Sequence, residues 1–300
     1  MLCVVGLLAL APGPAPARSP GEGTVWRQRD VVRYAQAGHA TPEATSDAAR
    51  EAVTWYNLGL GHITGGRSAE AIDALRRAVR LDPAFADAWH ALGVAYAQGG
   101  QHPEAIDAYR QAVRLKPQDA AAWYNLGIAY RTLGRHADAV EATREAVRLD
   151  PASADAWHNL GFAYATLARY PEAIDAYRQA VRLNPTSADT WHNLGFAYAT
   201  LARHPEAIDA LREALRIAPD RAVAWYSLGV SYSALNRYPE AVAALREAVR
   251  LHPAYAGAWY LLGLAYAGAG DRVAALECVP PLRRLDAARA DALFHAVGPR

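Results

Sequence analysis

Seven tryptophans, Trp55, Trp89, Trp123, Trp157, Trp191, Trp225 and Trp259, follow one another at intervals of 34 residues. A fixed period of this length marks a chain built by stacking copies of one small unit. Such a chain has no central core to outgrow, so its 300 residues need not divide into ordinary domains. The eight residues Trp157 to Tyr164 return unchanged at Trp191 to Tyr198. Nearly every other residue can be placed by its offset from one of these tryptophans.

With tryptophan as the fourth residue, seven repeats cover residues 52–85, 86–119, 120–153, 154–187, 188–221, 222–255 and 256–289. In the copy starting at Ala154, Trp157, Leu160, Gly161 and Tyr164 recur at steps of three and four, which is one face of a helix. Leu167-Ala168-Arg169 reads as a turn. Pro171 then suits the first turn of a second helix, where its missing N–H costs nothing. Ala173, Ile174, Tyr177, Ala180 and Val181 give that helix its own apolar stripe. Asn184-Pro185 stops it, because proline disfavours helix at the residue before it.

The eighth place is glycine in every copy, from Gly59 to Gly263. Mid-helix glycine costs about 1 kcal/mol relative to alanine. Acceptance of that cost in all seven copies predicts close approach of the paired helix. At the turn, Ala168 and Ala202 stand where other copies have Gly66, Gly100 and Gly134, so a left-handed backbone there would be mildly strained.

Trp-x-x-Leu-Gly-x-x-Tyr, followed by Ala, an aromatic or Leu, Ala and Pro at these offsets, resembles the tetratricopeptide repeat (TPR). The resemblance covers Ala52 to Arg289, roughly four-fifths of the chain. It implies an all-α fold: antiparallel helix pairs stacked into a right-handed superhelical solenoid, the first helix of each pair lining a concave groove. The second, fifth, sixth, ninth, twelfth and thirteenth places would then face the groove.

These places supply the candidate site. The sixth is Asn57, Asn125, Asn159 and Asn193 in four copies. An amide carries donors and acceptors and can pair with a peptide backbone of any sequence. The set is similar to the asparagine ladder in the repeats of O-linked N-acetylglucosamine transferases; the plainer alternative is that these amides bond helix ends or the next repeat. Tyr124, His158 and His192 at the fifth place, Phe162 and Phe196 at the ninth and Arg131 at the twelfth complete an aromatic groove. Asp87, Asp155 and Asp189 at the second place give it an acidic edge. Such a groove suits a peptide with apolar anchors and basic residues. His158 and His192 read as solvated groove residues, because no Cys or third ligand accompanies them and no metal or cofactor is implied.

A formal net charge of +1 gives no electrostatic case for nucleic acid or a membrane surface. The sequence has no glycine-rich phosphate loop, His-Glu-x-x-His, Gly-x-Ser-x-Gly or Cys-x-x-Cys. Nearly every residue from Ala52 onward already has a repeated structural role. The reading is therefore a non-enzymatic scaffold that binds a peptide segment of a partner protein, with a self-associating or cytoplasmic adaptor as the alternative.

The ends are irregular. Leu2 to Ala11 is an apolar run of signal-peptide length, too short to span a bilayer, and Ala15-Pro16-Ala17 fits a cleavage site. No Lys or Arg precedes the run. The expectation is a signal peptide over 1–17 and a periplasmic or secreted protein of the bacterial cell envelope, where it assists complex assembly; without cleavage the setting is cytoplasmic. Residues 18–51 read as a linker with a short helical segment over 25–37, and Thr45 and Ser46 as N-caps of a lengthened first repeat helix. At the other end Pro280-Pro281 should break the second helix of repeat seven, and 284–297 reads as a capping helix overlapping that irregular repeat.

Overall fold

The computed structural model describes residues 46–298. The apolar run at Leu2 to Ala11, its cleavage site, the segment over 25–37 and Thr45 lie outside the described residues. Within them the chain is helical, with no strand. It divides into two compact units, one ending at Asn184 and the other beginning at Pro185.

The N-terminal unit holds four antiparallel helix pairs. They are α1 (Asp47–Thr64) with α2 (Ser68–Leu81), α3 (Ala86–Gln98) with α4 (His102–Leu115), α5 (Ala120–Thr132) with α6 (His136–Leu149), and α7 (Ala154–Thr166) with α8 (Tyr170–Leu183). The C-terminal unit holds three more: α9 (Ala188–Thr200) with α10 (His204–Ile217), α11 (Ala222–Ala234) with α12 (Tyr238–Leu251), and α13 (Ala256–Gly268) with a broken partner. That partner is α14 (Arg272–Glu277) and α15 (Val279–Leu285), and α16 (Ala287–Val297) closes the unit.

Local chemistry sets these boundaries. Ser46, Asp119, Ser153 and Ser187 each accept a hydrogen bond from an amide of the first turn that follows, satisfying a donor that the helix leaves free. Ser46 starts α1 early, so it runs to 18 residues where the later first helices have 13. Proline occupies the first turn of α4, α8, α10 and α12.

The repeat tryptophans combine packing with a polar anchor. The indole N–H of Trp89 donates to the Pro83 carbonyl at 3.0 Å, and Trp123, Trp157, Trp191, Trp225 and Trp259 repeat the bond to Pro117, Pro151, Pro185, Pro219 and Pro253. Each first helix is thus tied to the loop entering it. Trp55 has no such proline and bonds Glu51 instead.

The mid-helix glycines sit where the two helices of a pair meet. A Cβ on Gly93 would come within 2.5 Å of the Tyr109 ring, and one on Gly161 within 2.7 Å of Tyr177. At the turns, Gly66, Gly100 and Gly134 have positive φ, and so do Ala168 (φ 57°), Ala202 (φ 56°) and Asn236 (φ 58°). The two alanines therefore carry the strain their sequence positions imply.

Repeat seven departs from this plan. Cys278 separates α14 from α15, with Pro280-Pro281 opening the latter. Residues 284 and 285 end α15, and Asp286 caps α16, which therefore starts at Ala287. α16 buries Ala290, Leu293 and Val297 against the unit and leaves the side opposite to solvent.

Candidate functional site

The first helices carry the candidate residues, and the structure sorts them by what they touch. In the N-terminal unit, His90 lies in α3 with no exposed surface. Its Nδ1 is 3.1 Å from Oδ2 of Asp119, and its Nε2 is 2.7 Å from Nδ2 of Asn125. The amide nitrogen Nδ2 of Asn125 can only donate, so Nε2 accepts and Nδ1–H donates to the carboxylate. Asn125 is itself buried, at 4% exposed. Its amide therefore joins α3 to α5 and does not stand open in a groove.

One repeat later the bond recurs. Asn159 Nδ2 donates to the Tyr124 hydroxyl at 3.1 Å and to the Asp155 carbonyl of its own helix at 3.0 Å. The fifth residue of one copy is thus held by the sixth residue of the next. This is the plainer alternative, amides that bond the neighbouring repeat, realised at two of the four asparagines. Asn57, in the first copy, is exposed.

In the C-terminal unit the corresponding pair is His192 and Ser227. Ser227 is too short for the bond, and its hydroxyl donates to the Val223 carbonyl of its own helix at 3.0 Å. His192 Nε2 is left buried with no hydrogen-bond partner. Burial and the Arg221 charge hold this imidazole down at about 4, against the opposing pull of Asp189 and the Asn193 amide. His192 is therefore neutral and largely desolvated, not the solvated groove histidine that the sequence suggests.

The acidic edge is largely neutralised. Asp87 pairs with Lys116 at 3.1 Å, and Asp189 with Arg221 at 2.5 Å. Burial pushes Asp119 up, but the His90 bond and charge, the Ala122 amide and Lys116 outweigh it and hold the carboxyl at about 2. Asp155 alone of the three second-place acids is exposed with no ion pair among the described residues.

The ninth and twelfth places supply aromatic surface. Arg131 stacks over the Phe162 ring at 5.1 Å, joining two consecutive first helices. His158 packs beside Tyr177, with ring centroids 5.8 Å apart. Phe196, in the C-terminal unit, is 50% exposed. Beyond it, α11 and α13 contain no Asp, Glu, Lys or Arg. The fifth and ninth places of these two copies, Tyr226, Val230, Tyr260 and Leu264, belong to the aromatic and apolar groove that the sequence implies, although the named candidate residues lie in repeats one to five. Their lack of charge is legible in residues 222–234 and 256–268 as a missing residue class.

Among the described residues, no group of three or more His, Cys, Asp or Glu side chains is placed to hold a metal ion. No described helix is long and apolar enough to cross a membrane.

Comparison with known proteins agrees with this architecture. A family model described as "Cilia and flagella-associated protein 70 C-terminal domain" matches residues 26–220, and one described as "TPR repeat" matches residues 231–270. Among solved structures, MamA is 30% identical with a TM-score of 0.53, the match covering 54% of this chain and 95% of MamA. YrrB, titled a TPR protein with an unusual peptide-binding site, is 23% identical with a TM-score of 0.57, covering 64% of this chain and 98% of YrrB. The C-terminal part of a TPR repeat-containing protein from Cytophaga hutchinsonii is 15% identical with a TM-score of 0.67, covering 80% of this chain and 99% of that one. At these identities the last two show the fold alone. No curated protein matches the sequence. The fold is of the kind typical of protein–protein interaction scaffolds.

Proposed function

We propose, from the premise that this chain belongs to the tetratricopeptide-repeat family of the cilia and flagella-associated protein 70 C-terminal domain, that it is a non-enzymatic scaffold holding a peptide segment of a partner protein on its first-helix faces. The observation that carries the reading is a division of labour along each first helix. The third, seventh, eighth and tenth places of the later copies are buried in stacking, as Ala156, Leu160, Gly161 and Ala163 show. Asp155 at the second place and Phe196 at the ninth are by contrast left exposed. Exposed aromatic surface beside adaptable polar groups is what peptide recognition uses.

The groups best placed to meet a partner are Asn57, Asp155, Phe162 and Arg131 in the N-terminal unit and Phe196 in the C-terminal unit. Asn125 and Asn159 act between repeats, and their replacement would disturb stacking as well as binding. The test is affinity capture from native extract with wild type and with a Phe162→Ser, Phe196→Ser variant matched in helicity and melting. A protein held by wild type and lost by the variant supports the reading. Equal capture by both removes it.

The proposed setting is the bacterial cell envelope, supported by the apolar run Leu2 to Ala11 and the Ala15-Pro16-Ala17 site. Mass spectrometry of the native protein tests this, because export predicts a chain beginning near Arg18. An intact N-terminus favours the cytoplasmic adaptor.

A further inference from the structure

Two first helices of the C-terminal unit, α11 and α13, carry no charged residue. α11 reads Ala-Val-Ala-Trp-Tyr-Ser-Leu-Gly-Val-Ser-Tyr-Ser-Ala and α13 reads Ala-Gly-Ala-Trp-Tyr-Leu-Leu-Gly-Leu-Ala-Tyr-Ala-Gly. A helix that is apolar on all sides belongs in an interior. These two have neighbours on their stacking sides, yet Val223 at the second place of α11 is 39% exposed and Phe196 on α9 is 50% exposed. Tyr226, Val230, Leu261 and Leu264, at the fifth, sixth and ninth places of α11 and α13, are only partly buried and extend the set of apolar side chains that keep some surface. Large apolar side chains left with surface on consecutive first helices, unlike ones scattered singly, point to an interaction site.

The charges nearest these side chains are matched internally. Asp189 is paired with Arg221, Arg289, whose charge reaches Tyr226 and Tyr255, is paired with Asp286 at 3.5 Å, and burial keeps His192 neutral above about pH 4. A partner carrying Lys, Arg, Asp or Glu among them would lose hydration there and gain no counter-charge. The N-terminal unit differs, since it offers the unpaired Asp155 and the cation Arg131.

Building on the scaffold reading above, we infer that the face formed by α9, α11 and α13 docks an uncharged, aromatic or aliphatic segment of a partner protein. Charge complementarity selects that occupant over a basic or acidic peptide, and interface cores are depleted of charge in the same way. The sequence expectation of basic partner residues thus applies at most to the N-terminal unit.

The test uses the full chain to select from a random phage-displayed peptide library, with sedimentation of the chain alone in parallel. The key variant is Phe196→Ser with Val223→Asp, which places at residue 223 an acid that the same place already carries at Asp155 and Asp189. The expected result is enrichment of peptides with an uncharged apolar core whose affinity is insensitive to salt. The variant should bind them about tenfold more weakly or worse while melting like wild type. Enrichment of basic peptides with salt-dependent affinity, lost on Asp155→Asn, would overturn the inference and leave the scaffold reading intact. A dimer of the chain that the variant dissociates would also overturn it, because a second copy would then cover the face. No enriched peptide, together with no captured partner in native extract, would remove the scaffold reading as well.

Discussion

Leu293 lies against Gly263 as Leu245 lies against Gly229 one repeat earlier. A Cβ on either glycine would come within 2.5 Å of the leucine it faces. In the other repeats the leucine, tyrosine or threonine filling this slot belongs to the paired second helix. In repeat seven it comes from α16, across the break at Cys278 and Pro280-Pro281. The last helix therefore does two tasks: it completes the final pair and closes the open end of the stack. Leu293→Ala should cost about 2–5 kcal/mol, the usual range for a buried leucine. Because a stack opens from its ends, amide exchange in α13 to α16 should accelerate while α9 and α10 change little. Uniform acceleration through the unit would contradict this.

Asn125 and His90 predict a second asymmetry. Asn125→Ala leaves a buried imidazole nitrogen without its donor, which costs about 1–3 kcal/mol. Asn159→Ala removes a bond to a hydroxyl that is only half-buried, and about 0.5–1.5 kcal/mol is expected. Urea denaturation of the two variants checks the order. Equal losses would mean that the amides serve their own helices and not the neighbouring repeat.

Acid should destabilise the protein in two stages. His192 titrates near 6.5 when unfolded and at about 4 when folded, so its contribution is complete above about 6.5 and is lost as pH falls through 4. His204, also pushed down by burial, adds to this upper stage. Asp119 has an unfolded value of 3.8 and a folded value of about 2, so its contribution is lost as pH falls from about 4 through 2. Urea midpoints measured from pH 7 to pH 2 should fall throughout. His192→Gln should flatten the upper stage, and Asp119→Asn the lower one. An unchanged upper stage in His192→Gln would contradict the burial of that ring.

Ala168 and Ala202 hold a left-handed backbone that glycine adopts without penalty. Ala168→Gly should therefore raise stability by about 0.5–1 kcal/mol, the relief of strain exceeding the extra freedom glycine gains when unfolded. The same change at Ala163, buried inside α7, should lower stability by about 1 kcal/mol. Thermal melts of the two variants, moving in opposite directions, check the claim.

The period of 34 residues determined the helix pairs, their order and the close approach at each mid-helix glycine. It also marked Ala168 and Ala202 as strained, because glycine stands at the same turn place in other copies. These features are local or repeat from copy to copy, so apolar spacing and residue size suffice to encode them. The polar partnerships were decided only by the tertiary structure. Asn125 and His90 are 35 residues apart, and their bond depends on how one copy's helix settles against the next. The same settling leaves Nε2 of His192 without a partner beside Ser227, neutralises Asp189 with Arg221 and brings Leu293 to Gly263. A hydrogen bond or ion pair is made or lost within a few tenths of an ångström, and residue spacing alone does not fix positions that finely.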